Sequence, residues 1–222
     1  MHRNAIRVLA FSTFAAILAP STIAGSIVGS KHDFSAQAWS PGGQICVACH
    51  TPHNAATVTG APLWNHTQST ATYSVYAGSS TLNATVGQPG TVSKLCLSCH
   101  DGTVAVDSFG GGAGTGTIAA AANFGTNLSN DHPIGFTFNT ALATTDGSLF
   151  DPATKSVTIG SGTKTRTGTV DANLLYSGQL ECASCHDVHN TYTVATPTGY
   201  TSNKLLKLTT NGSAICIACH DK

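Results

Sequence analysis

Every cysteine in this chain belongs to one repeated motif. The eight cysteines form four copies of Cys-x-x-Cys-His, numbered here as motif 1 (46–50), motif 2 (96–100), motif 3 (182–186) and motif 4 (216–220). This spacing is typical of covalent haem c attachment, in which two thiols bond to the porphyrin vinyl groups and the histidine binds the iron. The sequence therefore predicts four haem c groups, attached through Cys46, Cys49, Cys96, Cys99, Cys182, Cys185, Cys216 and Cys219.

Two other uses of paired cysteines were weighed against haem attachment. Exported proteins often form disulfides, and Cys-x-x-Cys pairs also bind zinc. Neither use explains why a histidine follows the second cysteine in all four copies, or why no cysteine lies outside them. Haem attachment explains both observations, so we expect it in preference to zinc knuckles or disulfides.

The ligand on the second face of each iron decides whether the haems carry electrons or bind a substrate. The motif histidines His50, His100, His186 and His220 are the predicted proximal ligands. Methionine is excluded as the second ligand, because the only methionine is Met1. Apart from His2, five histidines remain outside the motifs: His32, His53, His66, His132 and His189. Bis-histidine ligation of all four irons would leave no open position, so we expect no catalytic residues and no enzyme.

Two of these histidines stand at a fixed distance from a motif. His53 follows His50 by three residues, and His189 follows His186 by three residues. Side chains three apart lie on the same side of a turn, so they cannot bind opposite faces of one iron. Each second histidine is therefore expected to bind a different haem, which brings two haems close together. His66 is the spare candidate.

The N-terminal residues are typical of a secretory signal peptide. Arg3 and Arg7 precede an apolar run over 8–18, and small residues at 22 and 24 predict cleavage between Ala24 and Gly25. A retained membrane anchor is the alternative. We expect residues 1–24 to be removed and residues 25–222 to form a single exported tetrahaem domain.

The order of the motifs indicates an internal duplication. Each half contains a motif with an extra histidine followed by a plain motif, over 41–100 and 179–222, and an insertion at about 101–178 separates the halves. Within the insertion, the segments 155–159 and 165–170 predict a β-hairpin, and 118–122 predicts a short helix. The expected fold is dictated by haem: mostly irregular coil, a helical turn at each motif and a few β-hairpins.

The composition agrees with a core made of cofactor. Aromatic residues make up 7% of the chain and charged residues 9%, while the formal net charge is zero. Because few large apolar side chains are available, we expect the four porphyrins to form the core. The balanced charge gives no indication of nucleic-acid binding.

Six sequence strings resemble a known family. They are KHDFS, ICVACHTPHNA, APLWNH, KLCLSCHDGTVAV, DHPIGF and LECASCHDVHNTY. They are similar to the doubled-CxxCH multihaem cytochromes, and with four haems the chain most resembles the OmcE-type tetrahaem cytochromes of metal-reducing bacteria. The resemblance extends from His32 to His220, and the CxxCHxxHN strings are its specific part.

The resemblance implies a function, a ligand set and a location. In this family all haems are bis-histidine, and the subunits polymerise into extracellular filaments that conduct electrons. The implied distal ligands are His32, His53, His132 and His189. The implied partners are copies of the chain itself, other multihaem cytochromes as donors, and extracellular acceptors such as metal oxides, electrodes or other cells. A periplasmic electron shuttle that does not polymerise is the alternative, and a haem enzyme is the weakest candidate.

The resemblance also implies a joint between subunits. The segment from Gly25 to His32 has few large apolar side chains to hold it to its own domain, and related filament cytochromes use an N-terminal histidine across the subunit boundary. We therefore expect His32 of one subunit to bind the haem of motif 4 in the next. Ligation of a haem in its own chain is the alternative.

Overall fold

Little regular secondary structure is present in this protein. A computed structural model describes residues 27–194 and 204–221, so the predicted signal peptide lies outside the described residues. The helices are α1 (Thr91–His100), α2 (Thr140–Asp146), α3 (Val170–Leu174), α4 (Cys182–Cys185) and α5 (Ala214–Ile217). The strands are β1 (Ala56–Val58), β2 (Ala61–Trp64), β3 (Phe136–Thr137), β4 (Ser156–Ser161), β5 (Lys164–Thr169) and β6 (Gln179–Leu180). Among the described residues, no helix has the length and hydrophobicity needed to cross a bilayer.

The strands form three separate antiparallel pairs, β1 with β2, β3 with β6 and β4 with β5. The hairpin predicted in the insertion is confirmed as β4 and β5, with Ser156 opposite Thr169 and Ser161 opposite Lys164. Gly162 has a φ of +59°, the left-handed conformation that a two-residue hairpin turn requires. The second strand ends one residue earlier than expected, because the Thr169 side chain caps α3 by accepting from the Ala172 N–H at 3.2 Å.

Helical turns occur at the four motifs, with different amounts of flanking helix. In motif 1 the backbone N–H of His50 donates to the Cys46 carbonyl at 2.8 Å, and motifs 3 and 4 have the same bond. Motif 2 instead lies in the last two turns of α1, the longest helix described. The predicted helix over 118–122 is a short 3-10 turn at Ala120–Ala122. Helices α2 and α3 were not predicted.

The main apolar core lies largely in the insertion, which the sequence analysis did not expect. Phe136, Phe138, Ala143, Val157, Ile159, Val170, Leu174, Leu180 and Ala218 pack together and are all buried. One face of the β4–β5 hairpin and the apolar sides of α2 and α3 supply most of this cluster. Burial of this kind provides the insertion with protein packing of its own, at about 25 cal/mol per Å² of apolar surface. Ala218 belongs to motif 4, so this motif is packed directly on the core.

Candidate haem-binding centre

Motifs 1 and 3 are held by the same local structure. In each, a segment further along the chain pairs with the residues around the proximal histidine, and His50 is bridged to Trp64 as His186 is to Leu206. The flanking backbone bonds also correspond: Thr51 N–H to Leu63 O (2.9 Å), Asn65 N–H to Cys49 O (2.9 Å), Asp187 N–H to Leu205 O (2.8 Å) and Lys207 N–H to Cys185 O (2.8 Å). The duplication seen in the sequence is therefore also a duplication of backbone structure.

Two turns recur in both copies of this structure. Asn54 and Asn190, each four residues after its proximal histidine, have φ values of 55° and 56°. Asparagine tolerates this left-handed conformation better than most residues, which explains the HN at the end of the family string. Leu63 and Leu205 have φ values of 57° and 58° in the pairing segments. Left-handed leucine is rare, so its repetition supports a common origin for the two halves.

The proximal histidines are oriented by backbone carbonyls. The Nδ1 atoms of His50 and His100 lie 2.8 Å from the carbonyl oxygens of Pro62 and Ala122. The Nδ1 atom of His186 lies 2.9 Å from the carbonyl oxygen of Lys204. Because a carbonyl only accepts, Nδ1 carries the proton in each ring and Nε2 keeps its lone pair. Metal-binding histidines commonly have this arrangement, which fixes the tautomer and the direction of the ring.

Three motif histidines face a histidine from another part of the chain. In pair 1, His50 and His189 have ring centroids 6.2 Å apart and planes 22° apart. In pair 2, His100 and His32 are 6.0 Å apart at 66°. In pair 4, which like the others takes the number of its motif, His220 and His132 are 6.4 Å apart at 79°. Each pair joins a predicted proximal ligand to a predicted distal ligand.

These separations can be compared with the geometry of a bis-histidine iron. A metal–imidazole bond is about 2.0–2.1 Å long and the ring centre lies about 1.1 Å beyond the nitrogen, so two rings across one iron have centres about 6.3 Å apart. The observed 6.0–6.4 Å agrees with this distance. Rings stacked directly on each other would be closer together. The three pairs are therefore spaced to hold an iron between them.

The remaining predicted ligands are His186 and His53. Neither makes a ring contact with another histidine in the described part of the chain. Pair 1 joins the proximal histidine of motif 1 to the second histidine of motif 3, and the two motifs share the same local structure. The reciprocal pair would be His186 with His53, which stays a prediction.

The position of His32 differs from the one expected at a subunit joint. Its ring faces His100 of its own chain, while His220 of motif 4 already faces His132. Contacts within the chain hold this segment in place: Phe34 lies 5.8 Å from His32 and 5.2 Å from Trp39, and Trp39 lies 6.0 Å from Phe109. These aromatic contacts were not predicted from the sequence, and they supply the anchor that the segment 25–32 itself lacks.

His66 lies beside a thiol instead of facing a motif histidine. The side chain is 2% exposed, with Nδ1 2.8 Å from the Thr67 carbonyl oxygen. Its Nε2 atom lies 3.4 Å from the Cys99 sulfur and 3.2 Å from the Ala105 carbonyl oxygen. Both nitrogens are therefore engaged with protein atoms, which agrees with a spare, structural histidine.

The eight cysteines all lie in the described residues, and none of them is joined in a disulfide. Burial raises the pKa of Cys49 to about 11, and that of Cys99 and Cys219 to about 12. These three thiols are therefore harder to ionise than an exposed cysteine.

Motifs that follow one another in the sequence are also neighbours in the structure. The Cys96 thiol of motif 2 lies close to Cys182 of motif 3, and their interaction together with burial raises the pKa of Cys96. Cys49 of motif 1 is close enough to Cys99 to raise the pKa of that thiol, and Cys185 has the same effect on Cys219. The attachment points therefore follow one another through the molecule from motif 1 to motif 4.

Two buried carboxylates at the motifs were missed in the sequence. Glu181 is 4% exposed and accepts a hydrogen bond from Ser93 of α1, whose hydroxyl in turn accepts from the Cys182 N–H at 3.0 Å. This network connects motif 2 to motif 3. Asp101, which follows motif 2, accepts from the Tyr73 hydroxyl at 2.6 Å and from Ser69. The only sequence signal for either residue is its position directly beside a motif.

Two aromatic side chains lie beside the proximal rings. Their surroundings indicate whether the site suits a haem. Trp64 lies 6.2 Å from His50 at 89°, and Phe124 lies 5.7 Å from His100 at 31°. The Trp64 indole N–H is buried and has no acceptor among the described residues. A haem propionate is an acceptor that this donor would fit. Apolar rings beside the ligands and an unsatisfied donor are both compatible with a porphyrin.

No protein-family model and no curated protein matches the chain. In the described part of the chain, no group of three or more histidine, cysteine, aspartate or glutamate side chains could hold a metal ion. An axial pair consists of two side chains only, because the porphyrin nitrogens supply the other four ligands of the iron.

Proposed function

We propose that this chain is a tetrahaem c-type cytochrome that conducts electrons through bis-histidine irons. The observation that carries the proposal is the set of three histidine pairs at 6.0–6.4 Å, each with one member in a Cys-x-x-Cys-His motif. Four haem c groups are the cofactors, and they supply the redox chemistry.

The residues of the chain have separate roles in this function. The eight motif thiols attach the four haems, and His50, His100, His186 and His220 bind the irons on one face. The second face of the iron is bound by His189 in pair 1, by His32 in pair 2 and by His132 in pair 4. His53 is the second ligand of the motif 3 iron. Because every iron then has two protein ligands, the chain stores and passes electrons and does no substrate chemistry.

Proximity of the sites supports electron transfer between them. Burial lowers the pKa of His32, and His100, His186 and His189 are close enough to lower it further, which indicates that pairs 1 and 2 and motif 3 are neighbours. The buried hydrogen bonds that Ser93 of α1 makes with Glu181 and with the Cys182 N–H hold α1 against α4, and therefore motif 2 against motif 3. Short, rigid separations between centres favour rapid electron hopping.

The spectrum of the oxidised protein tests the ligand assignment. Four bis-histidine irons are low-spin, so neither a high-spin charge-transfer band nor the band of a sulfur–iron bond should appear. A high-spin signal equal to one or more haems in the untreated protein would contradict the proposal.

For the physiological role we favour a subunit of an extracellular filament, exported and assembled head to tail with copies of itself. Low charge and a surface rich in Ser, Thr and Gly suit packing in a polymer better than docking by charge. Other multihaem cytochromes would donate electrons, and metal oxides, electrodes or other cells would accept them.

One observation favours the alternative, a periplasmic shuttle. With His32 facing His100 of its own chain, a single subunit contains a candidate ligand for both faces of every iron. Negative-stain imaging of the secreted fraction separates the two roles. Filaments containing this chain support the polymer, and discrete particles of single-chain mass support the shuttle.

A further inference from the structure

His32 differs from four other predicted ligands in the surroundings of Nδ1. In His50, His100, His186 and His132 this atom lies 2.8–3.0 Å from a backbone carbonyl oxygen. In His32 the Nδ1 atom is buried and has no hydrogen-bond partner among the described residues. The rings of His53 and His189 belong to exposed residues, so water can reach them. The Nδ1 atom of His32 thus has neither a carbonyl acceptor nor access to solvent.

The segment that carries His32 is held by few bonds. Its backbone hydrogen bonds join residues three apart, from Ser30 to Ile27, Asp33 to Ser30, Gln37 to Phe34 and Ser40 to Gln37. The ring contacts through Phe34 and Trp39 to Phe109 supply its anchor in the rest of the molecule. Segments with local bonds and few buried contacts open at low free-energy cost.

We propose that His32 is an exchangeable axial ligand, so that the motif 2 haem alone takes up a small external ligand such as carbon monoxide. The inference rests on the proposed function, since it requires a haem between His32 and His100. The exchange breaks one bond from iron to imidazole and forms one from iron to the carbon of carbon monoxide, with no change in the number of electrons. The released ring moves away with its turn, and His100 stays bound.

The missing hydrogen bond accounts for the exchange. A hydrogen bond from the second ring nitrogen raises the basicity of the ligand and fixes its direction, and its loss typically costs about 10- to 100-fold in metal affinity. His32 should therefore dissociate about 10- to 100-fold faster than His132, whose Nδ1 lies 3.0 Å from the Pro133 carbonyl oxygen. With a haem bound, the iron would keep both histidines at rest, because the external ligand can bind only after His32 has left.

Carbon monoxide binding to the dithionite-reduced protein tests the proposal in the original protein and two variants. The untreated protein should bind one carbon monoxide per four haems in a slow phase, at a rate that becomes independent of gas concentration. His32→Ala should bind one molecule rapidly and lose the slow phase. His132→Ala should bind one molecule rapidly and keep the slow phase, for a total of two.

Substitutions at Trp39 keep the test decisive if a ligand variant does not fold. Trp39→Ala removes the contact to Phe109 and should speed the slow phase without changing its amplitude, while Trp39→Phe should change it little. The proposal is overturned if the untreated protein binds no carbon monoxide, if His32→Ala keeps the slow phase, or if His132→Ala abolishes it. The proposed function is judged separately, from the haem count and the low-spin spectrum before gas is added.

Discussion

At the scale of single residues, a ligating histidine is defined by what lies on each side of its ring. A partner ring at 6.0–6.4 Å marks the side that would face the iron, and a carbonyl at 2.8–3.0 Å marks the side held by protein. His66 lacks the first feature, and His32 lacks the second. The sequence identified all of these histidines but could not show which of them meet, because the contacts span up to 139 residues, from His50 to His189.

Replacing His189 should affect one iron only. In His189→Ala, the motif 1 iron loses its second ligand, and the oxidised protein should show one high-spin haem among four. The paramagnetic resonance signal that disappears should be the one typical of nearly parallel ligand planes, since pair 1 is at 22° and pairs 2 and 4 are at 66° and 79°. His66→Gln is the matched control and should keep four low-spin haems. A high-spin signal from His66→Gln would show that His66 is a ligand.

The buried hydroxyl of Tyr73 is expected to contribute to stability in a pH-dependent way. It donates to Asp101 at 2.6 Å, and burial together with this bond raises the pKa of Tyr73 to about 12. Because the pKa is higher in the folded state than the usual 10, the contribution is complete below about pH 10 and is lost as the pH rises toward 12. Tyr73→Phe should cost about 1–2 kcal/mol at neutral pH, measured by chemical unfolding.

The same unfolding series includes a control for Tyr73. Tyr76→Phe makes the same chemical change at a half-buried position outside the hydrogen bonds of Asp101. It should leave the free energy of unfolding within about 0.5 kcal/mol of the original protein. Equal losses from the two substitutions would show that the bond to Asp101 is not stabilising.

At the scale of elements, the contact between α1 and α4 is what fixes motif 2 against motif 3. Gly90, directly before α1, leaves space for the Glu181 carboxylate, and a Cβ atom there would lie 2.0 Å from Glu181 Oε1. Gly90→Ala should therefore displace the carboxylate from Ser93 and cost about 1–3 kcal/mol in the free energy of unfolding. Gly112→Ala is the control, since its Cβ would meet nothing closer than 3.5 Å. Equal stability of the two variants would contradict this packing.

The secondary-structure elements differ in whether a local sequence pattern could predict them. The β4–β5 hairpin was predictable, because two strand-like segments flank a Gly-containing turn, and the helical turns at the motifs follow from the spacing of the cysteines. Helices α2 and α3 were missed because their signals are capping interactions, Asn139 with Leu142 N–H and Thr169 with Ala172 N–H, and not apolar periodicity. The pairing of His50 with Trp64 and of His186 with Leu206 was also missed, since short bridges leave no pattern in the sequence.

At the scale of the whole molecule, the described part of the chain has an apolar core made of protein side chains. The insertion supplies an apolar cluster around Ile159 and Val170, which are 1% and 0% exposed, and motif 4 packs against it through Ala218. Motif 2 adjoins a second, smaller cluster, in which Leu97 packs with Tyr73 and Leu128. The porphyrin core expected from the composition stays a prediction, and the structure adds apolar clusters made of protein side chains.

The intact mass of the purified protein tests the central claim most directly. Each motif uses two thiols and one porphyrin, so the mass should equal that of the mature polypeptide, expected to be residues 25–222, plus four haems. Alkylation under denaturing conditions should then find no free thiol. A protein that carries three or fewer haems, or whose eight cysteines can be alkylated or are joined in disulfides, would contradict the account.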